Sequence, residues 1–216
     1  MKGYKMATKA ATPAKALKTP RFRVSFESVF EKSAFGTSTP SWSLTGLFYP
    51  KTFTDDEKQK WMAIRKQLDV VSLEAFKKPM KELDRGLYKT PYHKGNEKSY
   101  EGYGDPDMVY FRMASALRKP QIVDLTGNAI TIENQEEFYS GCWARASVNV
   151  FASVKWKSLS IGLGNLQKIK DDTSFMGGTS AEEDFGGDTP EFETGTDDTD
   201  FGIGGSAADE DDDPTA

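Results

Sequence analysis

From Gly141 to Trp156 the chain reads GCWARASVNVFASVKW, and the run alternates with a period of two. Ala144, Ala146, Val148, Val150, Ala152, Val154 and Trp156 occupy one parity; Trp143, Arg145, Ser147, Asn149, Phe151, Ser153 and Lys155 occupy the other. Successive side chains of a strand point to opposite faces, so this pattern predicts one long strand with a core face. The other face combines cations, hydrogen-bonding groups and two aromatics. Two readings of it stand. Trp143 and Phe151 either present their rings to a ligand or pack under a helix or loop, making both faces core.

The remaining apolar pattern is fragmented in the manner of a small β-rich domain. Phe22, Val24 and Phe26 alternate with Arg21, Arg23 and Ser25, and a turn-rich segment, Gly36 to Ser41, leads to a second strand over Trp42 to Tyr49. Thr54 followed by Glu57 is a capping box, and Trp61, Ile64, Leu68, Val71 and Ala75 follow at helical spacing. This predicts a helix from about Asp55 that ends before Pro79 and lays its apolar stripe on a sheet. Further strand signals are Met108–Met113, Gln121–Leu125, Ala129–Ile132 and Leu159–Leu163, with Thr126-Gly127-Asn128 as a turn. A long irregular connection spans residues 84–107. Many short strands, one helix and long loops predict a mainly β, small barrel rather than a βαβ sheet.

Charge divides the chain. Sixteen of the 33 Asp and Glu residues, and none of the 28 Lys and Arg, lie from Asp171 onward; before it, 17 acids stand against 28 bases. A body of about +11 is therefore joined to a −16 segment, although the whole chain sums to −5. Hydrophobic residues make up 37% of the chain, too few for a core that includes the acidic segment. The expected organisation is a flexible basic arm over 1–19, a folded domain over 20–170 and a disordered acidic tail over 171–216. The tail repeats an acid–Phe theme at Phe185, Phe192 and Phe201, candidate partner-docking motifs. Two of these spell Asp-Phe-Gly, but no kinase catalytic or glycine-rich loop accompanies them.

An enzyme is not expected. Cys142 is the only cysteine and His93 the only histidine, and nothing local joins them as a nucleophile and base. A single pair cannot build a structural zinc site, and neither a phosphate-binding loop nor a dinucleotide fingerprint is present. No cofactor and no metal are expected. No apolar run reaches the length of a membrane helix, so a cytoplasmic protein without a membrane partner is expected.

Binding chemistry is better supported. Single-stranded nucleic acid requires cations for its phosphates and aromatic faces for its unpaired bases. Arg21, Arg23, Tyr110, Arg112, Trp143, Arg145, Asn149, Phe151 and Lys155 supply that mixture on strand segments. Tyr88, Tyr92, Tyr100 and Tyr103, with Lys94 and its neighbouring lysines, are candidates for a clamp in the long loop. The alternative class is a partner-binding β-barrel adaptor, or a virion-associated protein, with incidental nucleic-acid affinity.

The run YSGCWARASVNVFAS followed by LSIGLGNLQKIKDD resembles the C-terminal core of a phage-encoded family, once of unknown function, that includes OB-fold single-stranded-DNA-binding proteins. The matching residues are Gly141, Trp143, Arg145, Ala146, Ser147, Val148 and Asn149, then Gly162, Leu163, Asn165, Leu166, Gln167 and Lys168. The resemblance covers about residues 20–172, with its specific part in 139–170. It implies a five-stranded OB-fold-like barrel that coats single-stranded DNA during phage replication, recombination or repair in the cytoplasm of a bacterial host. A −16 segment tethered to a +11 body is expected to compete with DNA for the groove. In charge it resembles the tails of replication single-strand-binding proteins, which implies partners such as a polymerase or helicase-primase, and a homodimer is compatible. The chain ends Asp213-Pro-Thr-Ala216, without the terminal aromatic that such tails commonly carry.

Overall fold

The computed structural model describes residues 16–34 and 39–175. The expected basic arm up to residue 15, and Phe185, Phe192 and Phe201, lie outside the described residues. The chain divides into one unit over Met1–Gly177 and a second over Gly178–Ala216.

Strands β1 (Leu17–Lys18), β2 (Phe22–Ser33) and β3 (Ser41–Phe48) precede the single α-helix of the described residues, α1 (Asp55–Phe76). After it come β4 (His93–Lys94), β5 (Val109–Ser115), β6 (Ile122–Val123), β7 (Ala129–Ile130), β8 (Trp143–Ser153) and β9 (Ser158–Lys170). Strands β2, β3, β5, β9 and β8 form a closed ring of five, because β8 pairs both with β9 and back with β2. All pairings in the ring are antiparallel except β5 with β9. This is the strand order of the OB-fold expected from the sequence, and closure removes the open edges of a flat sheet. The ring is not a regular barrel. Its long pairings, β3–β5 and β8–β9, are joined through short seams: Phe22↔Ala144 with Arg23↔Trp143, and Met113↔Ile161 with Ala114↔Gly162. Short strands extend it, β1 along β8, β4 along β5 and the β6–β7 hairpin along β9.

Helix α1 begins as its sequence dictates. Thr54 Oγ1 accepts from the Glu57 N–H at 3.3 Å, and Glu57 Oε2 accepts from the Thr54 N–H at 3.0 Å. Its C-cap, Lys77, is left-handed at φ 61°, and Pro79 follows. The buried stripe is Trp61, Ile64, Leu68 and Ser72, and the helix packs on β8, β1 and β9. Trp61 sits among Phe48 at 5.2 Å, Phe53 at 5.6 Å, Tyr92 at 5.2 Å and Phe111 at 6.0 Å between ring centroids.

The observed strands depart from simple alternation at three places. Phe26, placed by parity with Phe22 and Val24, is instead 58% exposed. The register shifts between Ser25 and Ser28, and Phe26 takes φ 48°, turning its ring outward. Trp156 and Val154, placed by parity with the core, are exposed because β8 ends at Ser153 and residues 154–157 form the turn to β9. Strand β9 runs to Lys170, well beyond the apolar stretch Leu159–Leu163, because its polar half pairs with β8 and β6 through backbone bonds. Leu17–Lys18, from the end of the expected arm, forms β1, and Thr19 Oγ1 accepts from the buried Ala146 N–H at 2.9 Å.

Because Trp61 joins the helix to both strands of the β3–β5 pair, Trp61→Ala will cost about 3–5 kcal/mol of stability. Denaturant unfolding of the full chain measures it, and a loss below about 1 kcal/mol would contradict the packing role.

Candidate nucleic-acid interface

Core residues Leu44, Phe48, Phe111 and Met113 point inward from β3 and β5. The pleat therefore sends Ser43, Thr45 and Leu47 outward opposite Ala114, Arg112 and Tyr110. Thr45, Tyr110, Arg112 and Ala114 of this face form the floor of a groove of about 570 Å³, while Leu47 is buried against Met108 and Tyr110. One wall is β4 and the segments on either side of it, with Pro91, His93, Lys98 and Tyr103; the other is the β8–β9 hairpin, with Phe151, Leu159, Ser160 and Ile161. Phe26 closes one side. The lining carries Arg112, Lys98 and several aromatics, and no Asp or Glu.

Arg112 donates from Nη2 to Ser43 Oγ at 2.9 Å and Ser41 Oγ at 3.1 Å. Burial pushes its pKa down, but a guanidinium stays charged at any physiological pH. The two serine oxygens hold its fork while leaving further donors available. Tyr110 is nearly buried, because the His93 imidazole stacks on it at 5.1 Å and 20°, and Tyr103 meets it edge-on at 5.2 Å. The ring open to the groove is therefore His93 rather than Tyr110. His93 Nδ1 lies 3.0 Å from Glu97 Oε2, and the Glu97 carboxyl is held below its usual range first by the Lys94 N–H and then by His93. Phe151 is 46% exposed.

The Tyr-rich loop does two jobs. Tyr88 packs edge-on to Phe76 at 5.0 Å, and Tyr92 lies against Trp61 and Phe111 with its phenol pKa raised by burial. These two anchor the loop to the core. Tyr103 reaches the groove, with its hydroxyl donating to Ser25 Oγ at 3.2 Å, while Tyr100 and Lys94 are exposed.

The other candidates lie elsewhere. Trp143 faces outward, half-buried, 6.0 Å from Tyr49 and under Lys170, with its indole N–H donating to Asp172 Oδ2 at 2.6 Å. Neither Trp143 nor Phe151 is among the buried core residues: Phe151 is exposed at the groove, and Trp143 is half covered by Asp172 and Lys170. Arg23 is held by Gly141 O at 2.9 Å and Thr173 O at 2.6 Å, pairs with Asp172 at 3.6 Å and lies 4.3 Å over the Phe175 ring. Arg21 bonds Thr52 O at 2.9 Å and lies 3.6 Å from Glu57. Arg145 donates to Gln167 Oε1 at 2.7 Å and borders a separate depression with Lys18 and Asn165. Asn149 packs its amide onto Gly162 across the β8–β9 pair. Lys155 is exposed in the hairpin turn beside Trp156, which is 68% exposed. Phe26, His93 and Trp156 were not identified as binding candidates from sequence. An aromatic at an expected core parity gives no sign of facing out, and a lone histidine in an irregular connection has no periodicity to mark it as a stacking ring. Cys142 is in the core, its thiol pushed up to about 11 by burial, so it stays protonated at neutral pH.

Residues 171–175, the first of the expected tail, lie against the Arg23–Trp143 cluster. The Phe175 N–H donates to Ser140 O at 2.9 Å, and Tyr139 Oη donates to Asp171 Oδ1 at 3.0 Å. Gly141, at φ 116°, and Gly102, at φ 79°, leave the room: a Cβ at either would collide with Thr173 O or the Phe175 ring. The Asp172 carboxyl is held below its usual range first by the Trp143 indole and then by the Thr173 N–H; Asp171 is held down first by Lys168. A depressed carboxylate pKa means that the carboxylates' share of this docking is fully present above the ordinary value, about 4, and is lost as pH falls through the lowered ones. The Trp143 indole N–H resonance will accordingly stay fixed from pH 8 to 5 and move only below about 4. Movement centred above pH 5 would contradict the assignment.

A model of the family described as Enterobacter phage Enc34, ssDNA-binding protein matches residues 15–200. The fold is shared with solved structures of the single-stranded DNA-binding protein from bacteriophage Enc34. In its complex with ssDNA that protein aligns at 17% identity over 73% of this chain and 88% of its own, with a TM-score of 0.59. On its own it aligns at 17% identity over 77% of this chain and 87% of its own, with a TM-score of 0.58. No curated protein matches the chain. The chain belongs to the Enc34 ssDNA-binding protein family.

Proposed function

We propose that this member of the Enc34 family binds single-stranded DNA with little sequence preference, in phage DNA replication, recombination or repair. The observation that carries this reading is the groove on the outer β3–β5 face. It is lined by cations and aromatic rings and by no carboxylate, on the face and near the hairpin by which OB-folds take oligonucleotides. Its floor and walls are strands and a core-anchored loop, so the rings are held in place before any ligand arrives. Arg112, Lys98 and Lys94 are the phosphate partners, His93 and Phe151 the stacking faces. Lys155 and Trp156, on the hairpin turn beyond Phe151, extend the same chemistry past the groove. Unpaired bases stack on any aromatic face, which accounts for weak sequence preference. A duplex hides those faces, so it binds less well.

Arg23 and Trp143 enter the reading differently from Arg112. Both are engaged by the segment 171–175, which stays docked and leaves these two side chains at the margin of the path of the strand. The acidic residues beyond it compete with DNA for cations at an effective concentration on the order of millimolar, as a tethered polyanion must. DNA that displaces them frees the tail, with Phe185, Phe192 and Phe201, for replication partners. Arg21 and Arg145, paired within the domain, and Asn149, packed on Gly162, contribute to the fold more than to the ligand.

Binding will favour single strands over duplex, and about four phosphate contacts will give a log–log salt slope near −3. Fluorescence anisotropy at several salt concentrations measures it; a flat salt response or a duplex preference refutes the reading. Removing residues 176–216 will tighten single-strand binding, most at low salt. Unchanged affinity after that truncation retires the competition.

A further inference from the structure

Phe26 is an aromatic residue that local sterics disfavour where it stands. Its φ of 48° lies in the left-handed region that costs a bulky residue free energy, and its ring is 58% exposed. No core contact requires it there. Burial of the ring would be the ordinary outcome for Phe at this parity, and the β2 register shift prevents it. Bulges of this kind re-aim single side chains and collect at functional sites. The backbone therefore spends conformational energy to expose a ring.

That ring borders two hollows. On one side is the groove with Arg112, His93 and Phe151. On the other is a second hollow of about 390 Å³ whose walls are Phe26, Tyr100 and Phe175. Tyr100 meets Phe26 edge-on at 5.3 Å, and Tyr103 lies 6.2 Å away, so the ring is braced from the loop side. The second hollow differs from the groove in charge. Glu27 and Glu101 line it, Ser140 hydrogen-bonds Glu27, and no Lys or Arg is in its lining. A phosphate is repelled there, whereas a flat neutral heterocycle finds aromatic walls and acceptors for its amino and imino hydrogens.

We propose that Phe26 is a stacking wedge that turns the bound strand between two subsites, and that the hollow beyond it takes one unstacked nucleobase. This rests on the single-strand-binding reading above and adds a second subsite to it. The backbone phosphates stay on the Arg112 side, and one base crosses the wedge into the carboxylate-lined hollow.

The test is a cycle in the full chain between Phe26 and the bases of the ligand. Phe26→Gly removes the ring and suits the left-handed backbone, so its Tm will equal or exceed that of the parent. Its affinity for a single-stranded oligonucleotide will fall about 5- to 150-fold, the range for loss of one base–aromatic stack. Phe26→Asn, which also tolerates this backbone, will behave alike, and Phe26→Tyr will retain parental affinity. On an oligonucleotide of the same length made of abasic residues, parent and Phe26→Gly will bind equally. Parental affinity in Phe26→Gly for the intact oligonucleotide overturns the wedge. So does an equal loss on the abasic strand, which would mean that Phe26 acts through the fold. Absence of single-strand binding by the parent itself would instead overturn the reading on which the wedge rests.

Discussion

Phe48 stacks on Phe111 at 4.4 Å and 20°, with Trp61 against both, and the groove on the outer β3–β5 face depends on this contact. Phe48 ends β3, Phe111 lies within β5, and Trp61 comes from α1, so one aromatic cluster locks two strands and the helix. Aromatic pairs of this type contribute about 0.5–1.5 kcal/mol each beyond the area they bury. Their energetic role is matched by a geometric one. With Phe48 and Phe111 fixed inward, the pleat leaves no choice about Thr45, Tyr110 and Arg112, which face outward in register. Tyr92 leans on the same cluster and carries the loop whose next residue, His93, covers Tyr110. The groove is thus the outer surface of the core's own packing.

The cations of the body fall into two groups, and their distribution explains more than their number. Arg21, Arg23 and Arg145 have partners within the domain: a capping glutamate, backbone carbonyls and a glutamine. Arg112 is oriented by neutral serine oxygens that leave its charge uncompensated. On the proposed reading, a net charge of +11 draws a polyanion toward the body, while the placement of unpaired charge beside exposed rings sets where it settles. The carboxylates near the two concavities follow the same division: absent from the groove lining, present in the hollow beyond Phe26.

Much of this was legible in the residues. The capping box at Thr54, the stripe at Trp61, Ile64 and Leu68, and the alternation from Trp143 specify the helix and the first strand of the β8–β9 hairpin, since each rests on local periodicity. Strand parity also separates Arg112 and Phe151, exposed at the groove, from the core, whereas Tyr110 on the same parity is buried under His93 with Leu47 and Met108. What local pattern cannot carry is the bulge that exposes Phe26 and the turn that exposes Trp156, both consequences of pairing between distant strands. Nor could it show that His93 would cover Tyr110, or that residues 171–175 would sit on Arg23, because those contacts are made only once the ring closes.

The central claim is that ligand lies along the outer β3–β5 face. Chemical-shift mapping on the full chain during titration with a short single-stranded oligonucleotide tests it most directly. The account predicts the largest perturbations at Thr45, His93, Arg112, Phe151 and Ser160, with smaller ones at Trp143. Perturbations confined to the Arg145, Lys18 and Gln167 depression, with the β3–β5 face unchanged, would contradict it.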